Sequence, residues 1–249
     1  MSTGSRVASN RPVPAMTYGK SARVYDALCR HKDYATASSK LRDIVHRVTP
    51  EASSLLDVAC GTGRHLEHLR RDFRVEGLDL SPDMLTVARA RCPDVRIHEG
   101  SLVDFRLTRR YDAVTCLFGS ISHARTLDRL YGAVGSMARH LEPGGVLVVE
   151  PWITPAAFVT GRLVCDTVND PDLKVTRMYV TQREGDVSIF DEHYLIATAD
   201  GVEHFIERHE LGLFTDDQYR GAFRNAGLDL VDTSEDLFGY GLYVCRAAS

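Results

Sequence analysis

No stretch of this chain is apolar for long enough to cross a bilayer. Residues Ser2 to Pro14 also lack the apolar core of a signal peptide, and this polar, proline-containing segment reads as part of a flexible tail over residues 1–20. The six cysteines (Cys29, Cys60, Cys92, Cys116, Cys165 and Cys245) form no Cys-x-x-Cys pair. That argues against a zinc site or a disulfide scaffold, so no metal ligands are assigned and a reducing cytoplasm is expected. A net charge of −4 with no basic stripe or tail gives no sign of a nucleic-acid partner. No internal repeat is visible, and 249 residues suit one α/β domain carrying an embedded subdomain. Two further absences concern phosphate binding. The loop Gly61-Thr62-Gly63-Arg64-His65-Leu66 lacks the third glycine of a dinucleotide fingerprint, and no Gly-Lys-Ser/Thr follows it, as a Walker-type loop would require.

What is present is an apolar run, Leu55-Leu56-Asp57-Val58, leading through Ala59-Cys60 into two glycines one residue apart and then an amphipathic segment. This is a strand, a tight turn and a helix start. The next apolar stretch, Val75 to Leu78, ends in Asp79. A carboxylate at the tip of the neighbouring strand is suited to a ribose diol. The loop therefore approaches a ligand closely without being built for a pyrophosphate.

The rest of the chain alternates. Helices are expected over 20–28 and 34–48, then strand 54–59, helix 63–71, strand 74–79, helix 82–91, strands 95–98 and 111–117, helix 126–141 and strand 145–150. Ser81-Pro82 has the form of an N-cap followed by proline at the first helical position, and Glu142-Pro143-Gly144-Gly145 reads as a helix stop and turn. From about Val164 to Phe214 the pattern switches to period-2 alternation of β-formers, with turns at Glu184-Gly185-Asp186 and Asp200-Gly201. A helix capped by Thr215 and strands over 228–233 and 240–246 close the chain. The expectation is an α/β core from residues 21–151 and 214–249, with a small antiparallel β insertion over 152–213 covering the substrate site.

The Asp-x-Ala-Cys-Gly-Thr-Gly form, with Asp79 behind it, resembles motif I of class I S-adenosylmethionine-dependent methyltransferases. That resemblance implies a Rossmann-like, doubly wound, mostly parallel sheet with the antiparallel layer inserted late in the chain, and S-adenosylmethionine as cofactor. It places Ala59, Gly61 and Gly63 under the amino-acid portion of the donor, Asp79 on the ribose, and Leu80 against the adenine. Ser101 and Leu102 would meet the adenine edge and face, and Leu117-Phe118-Gly119 would close the site beside the sulfonium. Leu80, Leu102 and Phe118 are equally readable as core. His123 lies just past the fourth strand, where functional groups collect in open α/β folds; it is either a group that positions or deprotonates an acceptor or a helix-start histidine without a role. The phenols of Tyr25 and Tyr34 either reach the donor or acceptor, or pack a lid helix.

A narrower resemblance rests on Val24-Tyr25-Asp26, Lys32-Asp33-Tyr34-Ala35, Asp83-Met84-Leu85, His140-Leu141-Glu142-Pro143-Gly144-Gly145 and Val149-Glu150-Pro151-Trp152. These are similar to the N-methyltransferases that dimethylate dTDP-linked deoxyamino sugars in natural-product biosynthesis. By that resemblance Tyr34 binds the methionine end of the donor, and His123 faces the amino sugar. Glu150, Pro151 and Trp152 open the nucleotide-sugar pocket, and Arg177 approaches the diphosphate. Tyr240 stands where the family carries an arginine toward the phosphates, Ile153-Thr154-Pro155 replaces an aromatic run, and the aromatic expected soon after Asp26 is absent. These departures leave the nucleotide sugar open. The expected partner is a small molecule, with no nucleic acid and no membrane, and a homodimer is left open. Methylation of a different small molecule at oxygen or carbon, or a catalytically silent donor-binding regulator, are the rival readings.

Overall fold

The apolar runs of the first 150 residues become the centre of a seven-stranded sheet in the computed structural model, which describes residues 18–248. Chain order is α1 (Ala22–Leu28), α2 (Tyr34–Val48), β1 (Ser54–Val58), α3 (Arg64–Leu69), β2 (Arg74–Asp79), α4 (Pro82–Arg91), β3 (Arg96–Glu99) and β4 (Tyr111–Cys116). A 3-10 turn, Ser120–Ala124, precedes α5 (Leu127–Arg139) and β5 (Leu141–Val149). The antiparallel strands β6 (Leu163–Asn169), β7 (Lys174–Val180), β8 (Gln182–Glu184), β9 (Val187–Thr198) and β10 (Gly201–Gly212) follow. The chain ends with α6 (Asp216–Asn225), β11 (Leu228–Asp232) and β12 (Tyr243–Ala247).

The large sheet has the order β11-β12-β5-β4-β1-β2-β3. Its five early strands are mutually parallel; β12 runs antiparallel to β5, and β11, antiparallel to β12, returns to the common direction. The chain builds outward from β1 to β2 and β3, then returns to place β4 on the other side of β1. That reversal opens a crevice at the carboxyl ends of β1 and β4, where open α/β sheets bind ligands. Every residue of β1 is buried, as a parallel strand covered on both faces requires. Leu56 and Val58 join the core under α5 and α6, with Leu130, Val134, Met137 and Phe223. Leu55 points the other way, into Leu41, Ile44, Val45, Leu66 and Leu69 of α2 and α3.

The caps follow the sequence. Ser81 Oγ accepts from Met84 N–H at 3.2 Å, and Thr215 with Gln218 forms a capping box. Three boundaries differ from expectation. β5 begins at Leu141, because Leu141 pairs with Tyr111 and Val146 with Ala113; residues 142–145 bulge out of the ladder between those pairs instead of preceding the strand. The final strand starts at Tyr243 and not at 240, since Gly239 and Gly241 take φ values of 96° and 73°. His123 sits in a separate 3-10 turn that sequence periodicity is too short to reveal.

The second sheet has the order β10-β9-β7-β6, with β8 on β9. Its inner residues Val168, Val175, Tyr194 and Ile196 bury Val24 and Leu28 of α1. A fully buried valine or leucine stabilises by roughly 1.5–3 kcal/mol, so this third cluster is enough to dock α1. Residues 1–17 of the expected tail lie outside the described residues. Tyr18 to Lys20, assigned to it in the sequence, are tied to the fold: Ser81 Oγ donates to the Tyr18 carbonyl at 2.8 Å, and the exposed Lys20 pairs with Glu203 at 2.6 Å. No described helix is long and apolar enough to cross a membrane.

Candidate active site

The turn after β1 is built from left-handed backbone. Ala59, Gly61 and Gly63 have φ values of 60°, 54° and 76°. Such a conformation costs a non-glycine residue roughly 1–2 kcal/mol, so Ala59 must be held in place. The next residue supplies the hold, as Cys60 N–H donates to the Leu78 carbonyl at 3.0 Å. Asp79 supplies another: its Oδ2 accepts from Gly61 N–H at 2.8 Å and its Oδ1 from Ser81 N–H at 2.9 Å. Burial pushes the Asp79 carboxyl upward, while the backbone N–H groups of Ser81, Gly61 and Leu80 oppose that shift. Each carboxylate oxygen keeps a lone pair free for a ribose hydroxyl. Asp79 therefore shapes the glycine loop, a duty that the sequence did not reveal.

Two observations test the fit of S-adenosylmethionine. A Cβ placed on Gly61 would meet no atom within 4 Å, so the space over the loop is open. Leu80, immediately after Asp79, is 54% exposed at a strand end, which offers an apolar platform for a purine. Close approach is used elsewhere in the same corner. At Gly77 on β2 a Cβ would lie 2.7 Å from Leu66 Cδ1 and 2.9 Å from Cys60 Sγ. The residues present suit the donor.

α1 is latched to this loop by side chains to which the sequence assigned no role. Thr62 Oγ1 donates to Asp26 Oδ1 at 2.7 Å, and Arg91 both pairs with Asp26 and donates to the Thr62 carbonyl at 2.6 Å. Tyr34, at the start of α2, is buried with its ring edge-on to His65 (5.1 Å) and Phe238 (5.7 Å), and burial raises its phenol pKa. Tyr25 meets Tyr18 edge-on at 5.6 Å. Asp57, fully enclosed on β1, accepts from Thr115 Oγ1 at 2.8 Å, and burial pushes its carboxyl up to about 7. An acid inside an otherwise apolar strand was the signal available for it.

The carboxyl ends of β4 and β5 form the other wall. Phe118 and Gly119 are left-handed, with φ values of 57° and 69°. Glycine is needed at 119, where a Cβ would come within 2.9 Å of the Trp152 ring. Glu150 Oε2 accepts from Phe118 N–H at 2.6 Å, and Oε1 has no hydrogen-bond partner. Burial pushes this carboxyl up to about 7. Glu150 is thus a fully buried floor under Phe118, not a residue at the mouth of a pocket, and Pro151 is buried beside it. Trp152 lies against Tyr240, ring centroids 5.3 Å apart, and edge-on to Phe190 at 6.3 Å. Lys32 sits 3.9 Å above the Phe118 ring and 4.7 Å from Phe238.

His123 approaches from the 3-10 turn, edge-on to Tyr18 at 5.9 Å. Burial, with His209 and Arg125 nearby, pushes its imidazole down to about 4, so it is neutral at physiological pH. Tyr18 lies against His209 from β10, ring centroids 4.6 Å apart and tilted by 53°, joining the sheet's inner face to the site. Two assignments need correction. Arg177 is not free for a diphosphate: it donates to Asp166 Oδ2 at 2.6 and 3.0 Å and lies 3.5 Å from Glu192, two carboxylates that satisfy its fork. The Leu117 side chain is buried in the core under α2 and α3, so only its backbone borders the crevice. Ser101 Oγ accepts from Val103 N–H at 3.2 Å, and Leu102 is half-buried against the α5 core.

Comparison with known proteins agrees with this geometry. Residues 55–145 match the family model described as a methyltransferase domain. The chain is 46% identical, over 90% of its length and 96% of the relative's, to the dTDP-3-amino-3,4,6-trideoxy-alpha-D-glucopyranose N,N-dimethyltransferase of Streptomyces venezuelae. The crystal structure of DesVI from Streptomyces venezuelae superposes with a TM-score of 0.86 at 45% identity, covering 91% of this chain and 98% of that one. The SAM-bound amino pentose methyltransferase CalS10 from Micromonospora echinaspora, involved in calicheamicin biosynthesis, gives 0.81 at 36% identity, with 94% and 99% covered. The chain belongs to the class I S-adenosylmethionine-dependent methyltransferases, in the family of the dTDP-amino-sugar N,N-dimethyltransferases.

Proposed function

We propose that this enzyme transfers two methyl groups in turn to the amine of a dTDP-linked deoxyamino sugar. The observation that carries the reading is the enclosure of the β1–β4 crevice. α1 and Tyr18 tie the antiparallel sheet to the donor loop, and an unprotonated His123 lies at their junction. The substrates named for the relatives support the acceptor class.

Bound S-adenosylmethionine supplies a methyl group already activated on a sulfonium. The chain's own residues bind and orient. The left-handed backbone at 59–63 passes under the donor's amino-acid end, Tyr34 reaches toward its carboxylate, Asp79 accepts from the ribose diol, and Leu80 and Leu102 flank the adenine. His123, neutral, accepts a hydrogen bond from the acceptor amine and keeps its lone pair in line with the methyl group. Holding two reactants in an attack geometry is worth roughly 7–11 kcal/mol, against roughly 3–5 kcal/mol for general base catalysis, so alignment dominates. Trp152 and Tyr240, ring centroids 5.3 Å apart, pack against the acceptor. With Arg177 engaged by carboxylates, Lys32 and Arg162 are the cations near Glu150 and Tyr240, and they take the diphosphate. Six cysteines without a disulfide fit a cytoplasmic enzyme.

The test incubates the pure protein with labelled donor and a panel of dTDP-amino sugars, free amino sugars and hydroxyl acceptors. Transfer to the nucleotide amines, ending at a dimethylated product, is expected. Tight donor binding without transfer to any amine refutes the proposal.

A further inference from the structure

The inner face of the antiparallel sheet holds polar groups that the donor site does not use. His209 is 3% exposed, and neither ring nitrogen has a hydrogen-bond partner. Its Nε2 lies 3.5 Å from Glu192 Oε2 and 3.9 Å from Glu207 Oε2, too far for a hydrogen bond. Glu192 is itself buried, and its Oε2 is engaged by the Tyr194 hydroxyl at 2.6 Å and by Arg177 at 3.5 Å. None of the described hydrogen bonds uses its Oε1. Buried polar atoms in folded proteins are overwhelmingly paired, so an imidazole with two orphaned nitrogens beside a half-used carboxylate calls for a partner that arrives with a ligand.

The placement says which ligand. His209 pairs across the ladder with Phe190, whose ring touches Trp152. On its other side its ring meets that of Tyr18 at a tilt, 4.6 Å between centroids, and Tyr18 in turn lies edge-on to His123. His209 is therefore bracketed by the two groups assigned to the acceptor end. Tyr18, at a left-handed φ of 63°, is the cover that must yield to expose it. The chemistry on offer is one N–H donor, one ring-nitrogen acceptor and one carboxylate oxygen, which matches a sugar hydroxyl. The relatives are named for amino sugars that differ in how many ring positions are deoxygenated.

We propose that Glu192 and His209 form a hydrogen-bonding subsite for a ring hydroxyl of the acceptor, setting the preference between hydroxylated and further deoxygenated amino sugars. The proposal rests on the amino-sugar reading above. A group that hydrogen-bonds a hydroxyl discriminates against the analogue lacking it, because its own buried atoms are then left unpaired.

The experiment measures kcat and KM for a dTDP-3-amino-3,6-dideoxyhexose and its 4-deoxy analogue, with donor affinity measured by calorimetry. Wild type should favour the hydroxylated acceptor by about ten- to a hundred-fold in kcat/KM, the range of one good hydrogen bond. His209→Phe, which keeps a flat ring, should bring that ratio to within about three-fold, mainly by raising KM for the hydroxylated sugar. Glu192→Gln, nearly isosteric, covers the case in which the phenylalanine variant does not fold; it should lower the ratio by several-fold with donor affinity unchanged. A purely structural role would move thermal stability and both acceptors alike. An unchanged ratio in the folded variants, or no preference in an active wild type, overturns the subsite alone. A wild type that methylates no nucleotide amino sugar overturns the functional reading with it.

Discussion

Replacing Asp79 by asparagine separates ligand binding from folding at this site. The carboxylate accepts from Gly61 N–H at 2.8 Å and from Ser81 N–H at 2.9 Å, one per oxygen. Asparagine offers one oxygen and one NH2, so one backbone N–H must then face a donor, and one ribose hydroxyl loses a charged acceptor. Hydrogen bonds to charged groups contribute about 1.5–3 kcal/mol each, so donor affinity should fall about ten- to a hundred-fold. Stability should change far less. Burial already raises the Asp79 pKa, meaning that the folded protein bears a desolvated charge that asparagine removes, and this offsets the lost backbone bond. Calorimetric titration with S-adenosylmethionine, alongside thermal unfolding of the ligand-free protein, reads both quantities. Donor affinity within two-fold of wild type would refute the placement of the ribose on Asp79. A collapse in unfolding temperature with affinity retained would show that its duty is to the loop alone.

His123→Ala should lower kcat about a hundred-fold, the cost of a poorly held reactant, while calorimetry shows donor affinity nearly unchanged. Because its imidazole is held near 4, His123 should add no acid limb to the pH–rate profile above about pH 5, which steady-state rates between pH 5 and 9 will show. Gly77→Ala forces a methyl group against Leu66 and Cys60 and should destabilise by about 1–3 kcal/mol in a denaturant titration. Asp57→Asn should gain on wild type as pH rises. An acid whose folded pKa is raised from 3.8 to about 7 favours the fold below pH 4 and loses that contribution as pH climbs through 7. The lost contribution is at most about 4 kcal/mol, and the variant lacks the dependence, so the difference in unfolding temperature should widen between pH 5 and 8.

The strand, turn and helix around the glycine loop were legible wherever one local rule was enough. A buried strand followed by glycines at 61 and 63, and a second strand ending in Asp79, need only chain periodicity and backbone sterics to be recognised. The Ser81 and Thr215 caps are equally local. The acceptor side was less accessible for the opposite reason. Glu192 and His209 lie in strands where charged residues alternate on both faces, so the sequence does not say which carboxylate turns inward. Arg177 was identified as a cation near the site, but its two partners come from β6 and β9, and only their register reveals that its charge is already met. Tyr18 was grouped with the tail because nothing in its neighbours marks it as packed.

By itself, the order of residues determined the α/β core, the glycine turn, the acid at the end of β2 and the donor they imply, since each follows from contacts within a few residues or from strand and helix periods. Tertiary structure alone decided what covers that donor. The latch from Asp26 to Thr62 and Arg91, the burial of Glu150 beneath Phe118, and the meeting of Tyr18 with His123 and His209 join segments up to 191 residues apart. Pairings at that range depend on how two sheets and a short helix pack together, which no local pattern encodes.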